Sequence, residues 1–171
     1  MARAPYRRID RPPTQTRLIG IPVVSVMLAS LTPLLPIIDV APLLPPLGFM
    51  MLIAWRLLHR TMWPVWISVP LGLWDDMFSG QLLGSAMLLW TLAFFALDLF
   101  DRRMVWRDAL QEWLLAATLI FFLLFSSLII ANETGGATQF SVLIPQILLS
   151  ILLFPFVARI CAGLDTIRLS T

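Results

Sequence analysis

Every one of the twelve basic residues in this chain is an arginine, and all twelve fall toward the two chain ends or in alternate gaps among six apolar runs. A chain with charge distributed in this way is constrained to cross a bilayer repeatedly, holding those gaps on one side. The runs lie at about 18–38, 40–55, 62–79, 82–100, 109–131 and 139–160. Hydrophobic residues fill 59% of the 171 positions, charged residues only 13%, and mean hydropathy is +0.88. A soluble domain carries roughly half apolar and a quarter charged residues, so its core could not absorb this surface. At about 20 apolar residues per spanning helix, the length accommodates six closely connected spans and leaves no room for a soluble catalytic domain beside them.

Orientation follows from the same arginines. Arg3, Arg7, Arg8, Arg11 and Arg17 precede the first run; Arg56 and Arg60 join the second and third; Arg102, Arg103 and Arg107 join the fourth and fifth; Arg159 and Arg168 end the sixth. The opposite connections, near Asp39, at 75–81 and at 132–138, contain no basic residue. Cytoplasmic loops hold the arginine and lysine excess, so both termini are expected in the cytoplasm. A five-span arrangement would carry arginines across the membrane, which argues for keeping the marginal third run. The expected organisation is a basic cytoplasmic tail over 1–17, a six-helix transmembrane domain over 18–161 and a short cytoplasmic tail over 162–171. The basic start followed by an apolar run has the outline of a signal peptide, but the run is long, rich in proline and lacks a small-x-small cleavage pattern, so it reads as retained. The arginine loops are available to anionic lipid headgroups, with an acidic partner as the sharper alternative. No nucleic-acid partner is expected.

Trp55, Trp63 and Trp106 fall near the inferred cytoplasmic boundary and are expected to anchor there, ring in the membrane and N–H among the headgroups. Asp98 and Arg102, four apart, form an expected rim ion pair. Prolines at 22, 33, 36, 42, 45, 46, 64, 70, 145 and 155 each remove a backbone hydrogen bond, which lipid tolerates only where a neighbour satisfies the freed carbonyl. Their cluster around Asp39 suggests a tightly turned connection between the first two spans.

Cysteine and histidine usage excludes whole classes of chemistry. Cys161 is single, which removes any intramolecular disulfide or cysteine-based zinc site, and reads as a buried inert thiol. His59 has no second histidine and reads as part of a basic loop. No phosphate-binding glycine loop, nucleophile–base pair or metal cluster is visible, so no catalytic residue, metal ligand or cofactor is expected.

The remaining chemistry lies in Gly72-Leu73-Trp74-Asp75-Asp76-Met77-Phe78-Ser79-Gly80-Gln81-Leu82-Leu83-Gly84. An aspartate at a helix centre costs about 2.5–3.5 kcal/mol to insert, falling toward the interface, so two adjacent acids require water, a partner or protonation. Gly72, Asp76, Gly80 and Gly84 are four apart and, while helical, make one slightly spiralling strip of small residues that admits close helix approach. Two readings stand at this point. In one, Ser79-Gly80 is an outer turn and both acids face water. In the other, Asp76 is buried against a helix or cavity, fixing the register of a partner's span or of an internal neighbour, while Asp75 lies nearer the water.

Gly72, Leu73, Asp76, Gly80 and Gly84, on the third of six spans in a chain of about this length with a short basic tail, resemble the MreD family of bacterial rod shape-determining membrane proteins. In hydropathy and length the resemblance covers nearly the whole chain; at residue level it concentrates between about Trp63 and Leu89. The doubled Asp75-Asp76 departs from the pattern and leaves open which carboxylate does the family's work, with the spacing favouring Asp76. The resemblance implies an all-α membrane bundle of about six proline-kinked helices, similar in architecture to the substrate-binding S-components of vitamin transporters. It also implies a non-enzymatic inner-membrane subunit of the cell-elongation complex. The partners so implied are a bitopic MreC-like protein, an MreB-like cytoskeletal filament, and RodA with a penicillin-binding transpeptidase. Gly72, Asp75, Asp76, Gly80 and Gly84 are the candidate binding residues. The alternative is a small-molecule-binding transporter subunit, for which Gln81, Thr91, Ser126, Ser127, Gln146 and Ser150 are the sparse intramembrane polar candidates.

Overall fold

The computed structural model describes residues 15–34, 44–60, 62–80, 82–103, 108–133 and 140–169, with side chains from residue 19 in the first stretch and from 143 in the last. Six α-helices follow in chain order: α1 (Gln15–Ala29), α2 (Leu47–Leu58), α3 (Ser68–Ser79), α4 (Ser85–Arg103), α5 (Ala109–Glu133) and α6 (Phe140–Leu169). Single 3-10 turns occupy Thr32–Leu34 and Val65–Ile67, and the described residues contain no strand. Each helix falls on one of the six apolar runs. The prolines around Asp39 that suggested a tight connection lie partly outside the described residues, as do Trp106 and Arg107.

Helix length differs sharply between the two halves. α5 and α6 are long and apolar enough to cross a bilayer; the 25 residues of α5 extend over about 37 Å. α1, α2 and α3 have 15, 12 and 12 residues, below the roughly 20 that a spanning helix requires by itself. α6 continues to Leu169, past the boundary expected at 161. Apolar side chains cover the outside of the bundle, including Leu88, Leu92 and Phe95 on α4 and Leu148, Leu152 and Phe156 on α6. Such a surface suits lipid rather than water.

The short α2 is the core. Phe49, Met50, Leu52, Ile53 and Trp55 around its circumference are at most 1% exposed, as expected of a helix that is apolar on every side. α1, α5 and α6 pack directly on it. Consecutive prolines at 45 and 46 delay its start until Leu47. The tryptophan expectation is corrected here: Trp55 is fully buried and donates its indole N–H to Ser25 Oγ at 2.9 Å, tying α2 to α1. Trp63 is 2% exposed and stacks on Phe94 of α4, ring centroids 6.5 Å apart. Both rings fill space between helices instead of reaching the headgroups. Cys161 is buried, as its lone occurrence suggested.

Pro155 illustrates how the bundle accommodates proline. With no N–H at 155, the carbonyl of Ile151 loses its helical partner, and the indole of Trp113 on α5 donates to it at 3.2 Å. The prolyl gap becomes an interhelical bond.

One end of the bundle is clasped by charge. Arg56, 4% exposed near the end of α2, places Nη2 2.7 Å from Asp98 and 3.0 Å from Asp101, both on α4. The expected Asp98–Arg102 pair is present at 3.8 Å but is the looser contact. His59, taken from sequence as loop, caps α2, and its Nε2 lies 2.9 Å from Asp165 of α6, which also holds Arg168 at 3.0 Å. Arg56→Ala would leave Asp98 and Asp101 without their buried countercharge. We expect a loss of about 1.5–3 kcal/mol, the range for a hydrogen bond to a charged group, read as a lowered midpoint in denaturant titration of the detergent-solubilised protein; an unchanged midpoint would contradict the clasp.

Candidate functional site

The local sequence determines where α3 stops and α4 begins. Pro70 occupies the first turn of α3, where its missing N–H breaks no helical bond. Gly80, with φ +67°, ends α3 in the left-handed region, a conformation open to a residue without Cβ. Gly84, with φ +96°, completes the reversal one residue before α4. The small-residue strip expected of a continuous helix is therefore interrupted. Gly72 and Asp76 share a face of α3, whereas Gly80 and Gly84 belong to the turn.

Asp76 is the centre of this hairpin. It is 2% exposed, and its carboxylate accepts four hydrogen bonds from the start of α4. Oδ2 accepts from the backbone N–H of Gly84 at 2.9 Å and of Met87 at 3.2 Å. Oδ1 accepts from the N–H of Ala86 at 2.9 Å and from the Ser85 hydroxyl at 3.1 Å. The N–H groups of a first helical turn have no partner within their own helix; in hydrocarbon, water cannot supply one. Asp76 supplies it from the neighbouring helix, in the position an N-cap side chain would normally fill from the same helix. Its negative charge also lies at the positive pole of α4.

Close backbone contact makes this reach possible. A Cβ at Gly72 would lie 2.6 Å from Cα and 2.8 Å from N of Met87. One turn earlier, buried Ser68 places Oγ 3.2 Å from Thr91 Oγ1 on α4. Ser68, Gly72 and Asp76 together form the face of α3 that meets α4. The close approach at Gly72 is therefore made to an internal neighbour, one of the two occupants that the sequence leaves open.

Asp75 points elsewhere. Half-buried, it lines a cavity of about 150 Å³ with Ser30, Gly48, Ser79, Ser127 and Gln146, and residues of all six helices or their immediate flanks contribute to the wall. Sequence reasoning named Ser127 and Gln146 as candidate polar groups but missed Ser30, Gly48 and Ser79. No local pattern marks these three, because α1, α2 and α3 meet there only through tertiary packing. Of the other polar candidates, Thr91 donates to the carbonyl of Met87 and Ser150 to that of Gln146, both at 2.7 Å; Gln81 lies outside the described residues. The cavity adjoins the start of α2, and the Arg56 clasp sits at the other end of the same helix.

Two substitutions test the hairpin. Asp76→Ala strands three backbone donors, at about 1–3 kcal/mol each for buried groups, so we expect a destabilisation of roughly 3 kcal/mol or more and a broadened elution profile in detergent. Gly72→Ala forces backbone atoms apart and is expected to lose about 1–3 kcal/mol. Wild-type unfolding midpoints in both would refute the assignment.

A family model described as rod shape-determining protein MreD matches residues 15–162. No curated protein and no solved structure matches the chain.

Proposed function

The chain belongs to the MreD family, non-enzymatic membrane proteins of rod-shape determination, and from that premise we propose that it is a multi-pass scaffold of the bacterial inner membrane. In this reading it holds the cell-elongation machinery together by helix packing within the bilayer. Its partners are a bitopic MreC-like protein, an MreB-like filament, and RodA with a penicillin-binding transpeptidase. Both termini lie in the cytoplasm, with the arginine loops against anionic lipid.

The observation that carries the reading is the Asp76 carboxylate bound to the first turn of α4. Four positions of the family-like motif have a part in that hairpin: Gly72 admits the close contact, Asp76 closes it, and Gly80 and Gly84 turn the chain. A fixed wall of two helices is what a scaffold requires, since association in lipid depends on close packing between preformed helices. Gly72, Asp76, Gly80 and Gly84 thus act on partners through the shape they impose, while Asp75 faces the adjacent cavity. The orientation is supported by the separation of charge, with guanidinium groups at one end of α2 and α4 and Asp75 and Asp76 at the other. The six-helix cavity is the feature that favours the second reading, a transporter's small-molecule-binding subunit, which would co-purify with an ATPase.

Expression of this chain in a rod-shaped bacterium depleted of its own MreD tests the proposal. Wild type is expected to restore rods and to recover the MreC-like partner on affinity purification. Asp76→Ala is expected to leave cells round. Round cells despite normal membrane levels of the wild-type chain, with no partner recovered, would contradict the scaffold.

A further inference from the structure

The motif hairpin accounts for Asp76 but leaves Asp75, the adjacent acid, without a structural task. Among the described residues, Asp75 is the only ionisable side chain on the wall of the 150 Å³ cavity. Gly48, at the start of α2, allows it in: a Cβ there would lie 3.1 Å from Asp75 Oδ1 and would collide with Ser30 Oγ. A carboxylate and a hydroxyl therefore converge on the one glycine of α2.

Ser30 extends the polar wall next to the carboxylate. It is 2% exposed, its Oγ lines the cavity, and it sits beside Asp75 within hydrogen-bonding reach of that carboxylate, which leaves its lone pairs free to accept. Ser79 Oγ, which also lines the cavity, is buried without a partner among the described residues and is the independent sign of a ligand. An unpaired buried hydroxyl is costly in a dry setting, at roughly 1–3 kcal/mol, and such a group in a native structure calls for an occupant. Gln146 commits its amide nitrogen to the carbonyl of Leu44 at 2.7 Å, which leaves its oxygen as a further acceptor.

Charge and size define the occupant. α2 begins without a side-chain cap, and its N-terminal pole contributes about half a positive charge against the full negative charge of Asp75, so the cavity is net negative. Among the described residues no basic side chain lines it. A cavity near this volume holds about six non-hydrogen atoms, the size of a benzene ring. The wall offers acceptors in excess and, in Phe49 and Trp90, two aromatic sides.

We propose that this cavity binds a primary ammonium group on a short alkyl stem, with Asp75 as its counterion and Ser30, Ser79 and Gln146 as hydrogen-bond acceptors. Three N–H donors on a compact cation match three or more convergent oxygens, a match that a quaternary ammonium cannot make. Two sources share this chemistry: the aminoethyl headgroup of a phospholipid and a free soluble amine. The site is independent of the scaffold reading, and its occupancy is measured without partner proteins.

The test uses the full chain purified in a neutral detergent, with thermal unfolding followed at constant ionic strength. Ethylammonium, phosphatidylethanolamine, tetramethylammonium and phosphatidylcholine serve as probes. We expect saturable stabilisation of about 2–4 °C by one or both primary amines, and at least tenfold weaker response in Asp75→Asn, which keeps the side-chain shape. Stabilisation by ethylammonium identifies a soluble amine as sufficient; stabilisation by phosphatidylethanolamine alone identifies the lipid. Should Asp75→Asn fail to fold, the double variant Ser30→Ala, Ser79→Ala is expected to weaken the response about threefold or more. Equal stabilisation by the quaternary probes would assign recognition to the aromatic walls and overturn the proposal. So would a response that survives Asp75→Asn unchanged, or no response to either primary amine.

Discussion

The carboxylate of Asp76 against the first turn of α4 is the contact on which the bundle depends. A helix whose first turn is buried presents backbone N–H groups with neither water nor a preceding turn to satisfy them. Here the remedy comes from the adjacent helix: one buried side chain accepts from Gly84, Ser85, Ala86 and Met87. The same contact fixes the register of α3 against α4, because the acid reaches these donors only while Gly72 lets the two backbones meet. An apparent liability, an acid amid apolar residues, is thereby the element that allows α4 to start where it does.

The two ends of the bundle use different chemistry for related purposes. At one end Asp76 binds backbone dipoles; at the other Arg56 gathers Asp98 and Asp101. Both devices pin α4, the first to α3 and the second to α2. Between them, α2 is enclosed by its neighbours with no surface available to lipid over most of its length. Pinned at both ends around a buried rod, the four shorter helices acquire the fixed shape that a non-enzymatic member of a rod-shape complex requires.

Much of this was legible in the sequence, and the limits have physical causes. The six runs and their charge asymmetry are properties of single segments, and all six helices lie on them. The spacing of Gly72, Asp76, Gly80 and Gly84 drew attention to what is the α3–α4 hairpin, but the helix itself ends at Ser79, because a glycine four residues on reads equally as part of a strip or as a left-handed terminus. Trp55 and Trp63 misled because proximity to a boundary in sequence says nothing about which way a ring turns, and both turn inward. The Arg56 pair with Asp98 spans 42 residues, and the cavity draws on all six helices. Contacts of that kind depend on which helices are neighbours, and single-segment patterns do not carry that information.

Amide hydrogen exchange resolved along α4 examines the central contact most directly, because it reads the N–H groups that Asp76 is said to hold. With the carboxylate in place, the amides of Gly84, Ala86 and Met87 should exchange slowly although they have no partner within their helix. In Asp76→Asn they should quicken by about tenfold or more, the factor that loss of one charge-assisted bond of about 1.5 kcal/mol implies, while α5 and α6 keep their protection. Unchanged exchange at these three amides in the variant would contradict the account.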